Sequence, residues 1–111
     1  MNKICTSLEQ SKKLLELGID VNTADMYWWS TSKRSYIEAM DDGDFNEAEG
    51  HIPAWSLSAL MNLLDDKAGL AKDYGLWFCY DNGKSHCTKH YNEMIDAAFE
   101  MVCWLKENRK I

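Results

Sequence analysis

The chain has 111 residues, which is the length of one domain and enough to bury roughly 65% of the surface that the unfolded chain exposes. Its 46% hydrophobic and 27% charged residues exclude an intrinsically disordered chain. The net charge of -6 opposes nonspecific binding to DNA or RNA, because such binding requires a local basic patch that outweighs the mean negative field.

The N-terminal stretch MNKICTSLEQ lacks the apolar run of a secretory signal, and no stretch approaches the roughly 20 apolar residues of a membrane span. We therefore expect a single domain over residues 1–111 that is cytoplasmic and has no membrane partner. In that compartment the cysteines stay reduced, whereas three disulfide pairings would be open in an oxidising one. The cysteines are Cys5, Cys79, Cys87 and Cys103.

A short helix is predicted near the start of the chain. Thr6 with Glu9, or Ser7 with Gln10, has the capping-box spacing that satisfies the free N–H groups of a first helical turn. Gly18 can adopt the left-handed conformation that ends such a helix. The apolar side of the helix would consist of Leu8, Leu14, Leu15 and Leu17.

Residues 26–30 and 35–40 are rich in aromatic and other apolar side chains, and the TSKR segment between them is typical of a loop. This pattern predicts two strands that form a hairpin. Alternation along the first strand places Tyr27 and Trp29 on one face and Trp28 on the other, so both faces need cover. A covered sheet is part of a core.

The same stretch is compatible with a second interpretation, because aromatic side chains interleaved with basic ones can stack on and neutralise a single-stranded nucleic acid. Lys33 and Arg34 alone do not form a strong basic patch, so we prefer the hairpin core and keep nucleic-acid binding as an alternative. The surface would consist of Tyr27, Trp28, Trp29, Lys33, Arg34 and Tyr36.

Residues 41–50, with the sequence DDGDFNEAEG, predict an exposed acidic loop. An EF-hand calcium loop requires glycine at its sixth position and glutamate at its twelfth. Counted from Asp42, those positions hold Glu47 and Pro53, so the loop does not match. The segment has no Lys or Arg between its acidic residues, which are Glu38, Asp41, Asp42, Asp44, Glu47 and Glu49.

The stretch IPAWSLSALMNLL predicts an amphipathic helix that starts at a Ser56 N-cap. Trp55 before the cap and Leu60 inside the helix have the spacing of a hydrophobic staple. Gly69 is interpreted as the end of this segment. The apolar stripe consists of Leu57, Leu60, Met61 and Leu64.

Asn82–Gly83 lies between two strand-like runs within residues 74–91 and is a strong signal for a hairpin with a two-residue turn. That turn predicts the register of the ribbon: Asp81 faces Lys84, Cys79 faces His86, Trp77 faces Thr88, and Gly75 faces His90. The opposite side would meet the helices; it carries Tyr74, Leu76, Phe78, Tyr80, Cys87 and Tyr91.

The C-terminal stretch predicts the longest helix, with Asn92 as its cap. Glu93 and Asp96 near its start and Lys106 and Arg109 near its end agree with the direction of the helix dipole. Such a helix would anchor the core through a stripe of Ile95, Ala98, Phe99, Val102 and Leu105, widened by Ala97, Met101 and Trp104.

Four residues of metal-ligand type lie close together in the sequence: Cys79, His86, Cys87 and His90. On a strand, His86 and His90 are roughly 13 Å apart and Cys87 points to the opposite face, whereas the ligands of tetrahedral zinc must converge. We therefore predict no zinc site. The six glycines do not form a phosphate-binding loop or a dinucleotide fingerprint, so no cofactor is expected.

The predicted register also places Cys79 opposite His86, with Asp81 two residues away. A thiolate activated by a neighbouring imidazole is the minimum for nucleophilic catalysis, so a thiol-dependent enzyme is a second alternative. No Gly-rich nucleophile turn accompanies these residues, and cysteine is commonly a small buried hydrophobe. We prefer the interpretation without catalytic residues.

The stretches DMYWW, IPAWSLSALMNLL and IDAAFEMVCWLKEN resemble a family of small uncharacterised proteins of gut Bacteroidetes genomes and their phages or mobile elements. The resemblance runs from LEQSKKLLELGID to Ile111. It implies a compact α+β domain and a phage or mobile-element setting, and it carries no catalytic residue to this chain. The acidic loop after Met40 departs from the family pattern.

These patterns together predict an α+β fold in which an antiparallel sheet of about four strands, in two hairpins, packs against three helices. We expect a non-enzymatic accessory protein that binds another protein, such as a host protein, or a second copy of itself. An acidic mimic of nucleic acid is one way in which a phage-encoded protein can occupy a host protein.

Overall fold

The computed structural model describes residues 3–30, 34–40, 45–83 and 85–111. The helices in these residues are α1 (Leu8–Glu16), α2 (Leu57–Leu64) and α3 (Met94–Glu107), and the strands are β1 (Met26–Ser30), β2 (Ser35–Ala39), β3 (Ile52–Ala54), β4 (Ala68–Asp73) and β5 (Leu76–Asp81). The predicted α+β class is confirmed. The strands form two antiparallel sheets, one in the order β2-β1-β3 and one of β4 with β5.

Helix α1 begins at the second of the two possible capping boxes. The Ser7 hydroxyl accepts the Gln10 N–H at 3.1 Å, and the Gln10 side chain accepts the Ser7 N–H at 3.0 Å. Thr6 is instead fully buried, and its hydroxyl accepts the Trp55 N–H at 3.1 Å. The chain leaves the helix through Gly18, whose φ of 87° is the predicted left-handed conformation.

The first sheet contains the predicted hairpin and one further strand. Strands β1 and β2 pair with Tyr27 opposite Glu38 and with Trp29 opposite Tyr36. The sequence does not predict β3, because that strand has only three residues and contains a proline. Strand β3 pairs with β1 so that Pro53 lies opposite Tyr27. Proline is tolerated there because β3 is an edge strand.

Helix α2 starts at Ser56, as predicted. The Ser56 hydroxyl accepts the Ala59 N–H at 3.2 Å and also bonds with the Asp25 carboxylate. Asp25 accepts the Ser56 N–H at 2.9 Å as well, so one carboxylate holds the start of the helix against the segment before β1. Trp55 and Leu60, the two residues of the predicted staple, are both fully buried in the hydrophobic core.

The tight turn of the second sheet lies at Tyr74–Gly75, between β4 and β5, and not at Asn82–Gly83. Tyr74 has a φ of 51° and Gly75 a φ of 80°, and two positive values are the signature of a type I′ hairpin turn. Gly75 therefore lies in the turn rather than opposite His90. Neither Asn82 nor Gly83 has a positive φ.

Strand β4 is also absent from the sequence prediction, because Ala, Gly and Lys have low β-propensity. Gly69, interpreted above as the end of the α2 segment, lies within β4 opposite Tyr80. A Cβ atom at Gly69 would be 2.9 Å from the Tyr80 hydroxyl oxygen. The glycine therefore allows the tyrosine ring to lie against the neighbouring strand.

The chain after β5 does turn back along it, but the predicted pairs of Cys79 with His86 and of Trp77 with Thr88 are wrong. Trp77 forms an isolated bridge with Tyr91. The Thr88 N–H donates to the Cys79 carbonyl at 2.9 Å, and the Cys79 N–H donates to the Thr88 hydroxyl at the same distance. The partner segment is therefore displaced along β5 from its predicted position.

The side chain of Asp81 explains this displacement, because its hydrogen bonds to the chain after Gly83 replace those of a two-residue turn. The carboxylate accepts the Ser85 and His86 N–H groups at 2.8 Å each and the Ser85 hydroxyl at 2.9 Å. The Asn82 N–H donates to the backbone just before β4 at 2.8 Å, which draws this residue away from the turn. Lys84, predicted to face Asp81, lies outside the described residues.

Helix α3 is the longest described helix, and its Asn92 cap is wrong by one residue. Glu93 has the extended N-cap conformation and makes no side-chain capping bond. The predicted apolar stripe is confirmed, with Phe99 and Trp104 half-buried at its borders. The buried residues of the helix are Ile95, Ala97, Ala98, Met101, Val102, Cys103 and Leu105.

Helix α3 packs against α2, β4 and β5, which forms the centre of the core. The three-stranded sheet is attached differently, mainly through contacts of the short β3 with α1. Among the described residues, no helix combines the length and the apolar character that a bilayer crossing requires.

Candidate functional site

A cavity of about 520 Å³ opens on one face of the three-stranded sheet. Alternation along β1 places Tyr27 and Trp29 on this face, and the β1–β2 register places Glu38 opposite Tyr27. The segment before β3 supplies the other wall. We call this the aromatic–acidic cavity, and its lining residues are Tyr27, Trp29, Glu38, Phe45, Asn46, Glu49 and His51.

Tyr27 forms the floor of the aromatic–acidic cavity and is only 2% exposed. The His51 imidazole stacks on the Tyr27 ring, with centroids 4.8 Å apart and planes 18° from parallel. The Phe45 ring meets Tyr27 edge to face at 5.6 Å. Stacked and edge-to-face rings are the two favourable arrangements of aromatic side chains, so these contacts hold the wall in place.

His51 has a defined orientation within this wall. Its Nδ1 accepts the Asn46 N–H at 2.9 Å, so in the neutral imidazole the proton lies on Nε2. Nε2 is 3.8 Å from a carboxylate oxygen of Glu49. The Asn46 side chain accepts the Ala48 N–H at 3.0 Å and shapes the turn that carries Glu49.

The β2 side of the cavity carries the second carboxylate and an extended row of rings. The Tyr27 hydroxyl donates to Glu38 at 3.4 Å. Trp29 stacks on Tyr36, with centroids 4.4 Å apart and planes 18° from parallel. The Arg34 guanidinium lies 4.6 Å from the centroid of Tyr36, which is a cation–π distance. This row of rings therefore already holds a guanidinium outside the cavity.

The electrostatics of the aromatic–acidic cavity favour a positively charged ligand. The described lining residues include two carboxylates, Glu38 and Glu49, and no lysine or arginine. Aromatic faces attract cations through the ring quadrupole, and the carboxylates add a direct charge. A phosphate group would meet repulsion from both carboxylates.

The structure separates the residues of the predicted nucleic-acid surface. Trp28 lies on the opposite face of β1, and its indole N–H donates to the Thr6 carbonyl at 2.9 Å. Trp29 is half-buried and lines the aromatic–acidic cavity beside carboxylates. Arg34 contacts Tyr36, and Lys33 lies outside the described residues. Two adjacent tryptophans therefore do not form one stacking surface.

Cys79 and His86 do not face each other across the ribbon, because Thr88 takes the position opposite Cys79. Cys79 is fully buried, and burial raises the pKa of its thiol to about 12. A thiol with that pKa stays protonated near neutral pH and is a poor nucleophile. The His86 ring stacks on Trp104 at 4.5 Å, and its Nε2 lies 3.9 Å from the Glu100 carboxylate. The reactive pair predicted from the register is not formed.

The other residues of metal-ligand type also have separate surroundings. Cys87 is exposed, and His90 Nε2 lies 3.6 Å from the Asp73 carboxylate. Within residues 3–30, 34–40, 45–83 and 85–111, no group of three or more His, Cys, Asp or Glu side chains is arranged to hold a metal ion.

The sequence indicates part of the aromatic–acidic cavity but not the whole of it. Tyr27 and Trp29 are recognised as one face of a strand, whereas Phe45, Glu49 and His51 lie in or beside a segment interpreted only as an exposed loop. Alternation in β3 would have placed His51 on the same face as Pro53 and Tyr27, had that strand been recognised. Phe45, a lone phenylalanine within the acidic segment, is a second sequence signal for this cavity.

Comparison of the chain with protein-family models, with curated proteins and with solved structures finds no match. The resemblance to small proteins of gut Bacteroidetes and their mobile elements therefore stays a prediction.

Proposed function

We propose that this protein is a non-enzymatic, cytoplasmic protein-interaction domain that receives a basic segment of a partner protein in the aromatic–acidic cavity. The observation that supports this proposal is the convergence of aromatic rings and two carboxylates, Glu38 and Glu49, in one open cavity of about 520 Å³. Aromatic side chains are enriched in protein interfaces, where they supply a large contact area at low entropic cost.

Charge complementarity favours a basic partner over a second copy of this chain. The protein carries a net charge of -6, so two copies repel each other at long range. Two copies that met through this face would also bring like carboxylates together. A basic segment would be attracted by the whole protein and by the cavity, which increases the rate of encounter.

The cysteines support a cytoplasmic location. Cys5, Cys79, Cys87 and Cys103 are free thiols, and unpaired cysteines are typical of reducing compartments. The resemblance to phage and mobile-element proteins suggests by analogy that the partner is a host protein. A domain of this size would then act by occupying a basic site on that protein.

Selection from a displayed library of random peptides tests the proposal. The baits are the wild-type protein, the site variant Glu38→Gln/Glu49→Gln, and the control variant Glu16→Gln/Glu107→Gln. Both control residues are exposed on helices, and the control removes the same charge as the site variant. We expect the selection to yield basic peptides that bind the wild type and the control variant equally. These peptides should bind the site variant at least about tenfold more weakly, which corresponds to a loss of about 1.4 kcal/mol in binding free energy.

Two results would contradict the proposal: a library that yields no binder, or binders that do not distinguish the site variant from the control. A titration of tryptophan fluorescence with single-stranded oligonucleotides at low salt accompanies the selection. Saturable oligonucleotide binding that the site variant retains would favour the nucleic-acid alternative instead.

A further inference from the structure

Resting on this proposed function, we propose that the aromatic–acidic cavity recognises the guanidinium group of an arginine side chain on the partner. The site combines two features that this group matches: planar rings against which a flat cation can stack, and carboxylates that can accept its N–H groups in the plane.

The protein contains an internal example of the stacking contact. The Arg34 guanidinium lies over Tyr36, and Tyr36 is stacked on Trp29. Trp29 continues this row of rings into the aromatic–acidic cavity, where it lies among the lining residues. A second guanidinium placed against Trp29 would repeat an arrangement that the neighbouring ring already makes.

Among the described lining residues, the charged acceptors are the two carboxylates. His51 Nδ1 already accepts the Asn46 N–H, and the Asn46 side-chain oxygen already accepts the Ala48 N–H. A carboxylate has about four acceptor sites, so Glu38 can accept an entering cation in addition to the Tyr27 hydroxyl, and Glu49 can do the same.

These two carboxylates lie on different elements, one on β2 and one before β3. Arginine presents five N–H donors in a planar fork and can reach acceptors on two sides, whereas the lysine ammonium is a compact and strongly hydrated point charge. The geometry thus favours arginine over lysine.

The test uses three short peptides that differ only at one central residue, which is arginine, lysine or citrulline, in a flexible glycine and serine background. Citrulline has the shape of arginine and lacks its charge. Binding is followed by NMR through the indole N–H signals of the tryptophans. We expect the arginine peptide to shift the Trp29 signal and to leave those of Trp28 and Trp55 unchanged, because these two indoles donate to Thr6 and Thr23 elsewhere in the protein.

We expect the lysine peptide to bind about tenfold more weakly than the arginine peptide, and the citrulline peptide to leave Trp29 unchanged. The variant Glu38→Gln should weaken arginine-peptide binding about tenfold, and Glu107→Gln should not. Equal binding of the lysine and arginine peptides, or of the citrulline and arginine peptides, would overturn the arginine assignment.

Failure of this inference and failure of the proposed function give different results. If library-selected peptides bind through Glu38 and Glu49 but the single-arginine peptide does not shift Trp29, the interaction role stands and the arginine assignment is wrong. If the library yields no binder and the arginine peptide has no effect, both are wrong.

Discussion

The hydrophobic core around α3 and the open face of the three-stranded sheet use aromatic side chains in opposite ways. In the core, α3 packs against α2, β4 and β5, and the core cluster contains the fully buried Trp55. The three-stranded sheet is attached mainly through its shortest strand, and one of its faces carries the aromatic–acidic cavity. A ring inside the core is enclosed on all sides, whereas the sheet attached through one edge keeps a face that opens to a cavity.

The contrast continues within a single strand. Trp28 and Trp29 are adjacent in β1, but Trp28 donates a hydrogen bond to the backbone near α1 while Trp29 lines the aromatic–acidic cavity. The period of two along a strand assigns the two indoles to different environments. An aromatic-rich stretch therefore contributes both packing and a candidate site, and neither role can be assigned to the stretch as a whole.

The largest expected effect compares one tryptophan from each region. Trp55 is fully buried, so Trp55→Ala should lower the free energy of unfolding by about 3 to 5 kcal/mol. Trp29 is half-buried at an open cavity, and Trp29→Ala should lower it by only about 1 kcal/mol. Urea unfolding followed by circular dichroism measures both values. Equal losses of unfolding free energy in the two variants would contradict the distinction between core and cavity. If Trp55→Ala does not fold, Trp55→Phe is measured in its place.

A second effect concerns the pH dependence of the β5 region. Asp81 is 3% exposed; burial raises the pKa of its carboxyl, but hydrogen bonds from the His86 N–H and from Ser85 outweigh burial and hold that pKa below its usual range. Because the folded pKa is lowered, the carboxylate stabilises the protein above the unfolded value of about 3.9, and this contribution is lost as pH falls through the folded value.

The variant Asp81→Asn should therefore be less stable than the wild type at neutral pH, and the difference should shrink as pH falls below about 4. Thermal unfolding as a function of pH measures this difference, with Glu107→Gln as the control on an exposed carboxylate. A difference that stays constant down to the lowest pH would show that the Asp81 charge does not stabilise the fold.

The smallest expected effect is at the turn of the second sheet. Tyr74 has a φ of 51° and is 97% exposed. Its side chain therefore makes no packing contacts that would offset the strain of this backbone conformation. Asparagine tolerates this conformation in type I′ turns, and Tyr74→Asn should stabilise the protein by about 1 kcal/mol. Chemical denaturation measures the change, with Tyr74→Phe as a neutral control. A loss of stability in the asparagine variant would mean that the tyrosine ring makes a contribution of its own.

The sequence alone determines the elements whose signals lie within one or two turns of the chain. The Ser56 hydroxyl caps α2 through an N–H three residues away, Gly18 follows α1 in the left-handed conformation, and the stripe of α3 repeats at helical spacing. The β1–β2 hairpin is also local. In each case the interacting groups are close in sequence, so their chemistry is visible in the order of residues.

Only the tertiary structure decided the two missed strands, the β5 register and the cavity. Strands β3 and β4 have weak intrinsic preference and exist because β1 and β5 offer partners. The Asp81 side chain overrides the Asn82–Gly83 signal through bonds to Ser85 and His86. His51 reaches Tyr27 because β3 pairs with β1. Pairing and burial depend on groups distant in sequence, so local preference cannot determine them.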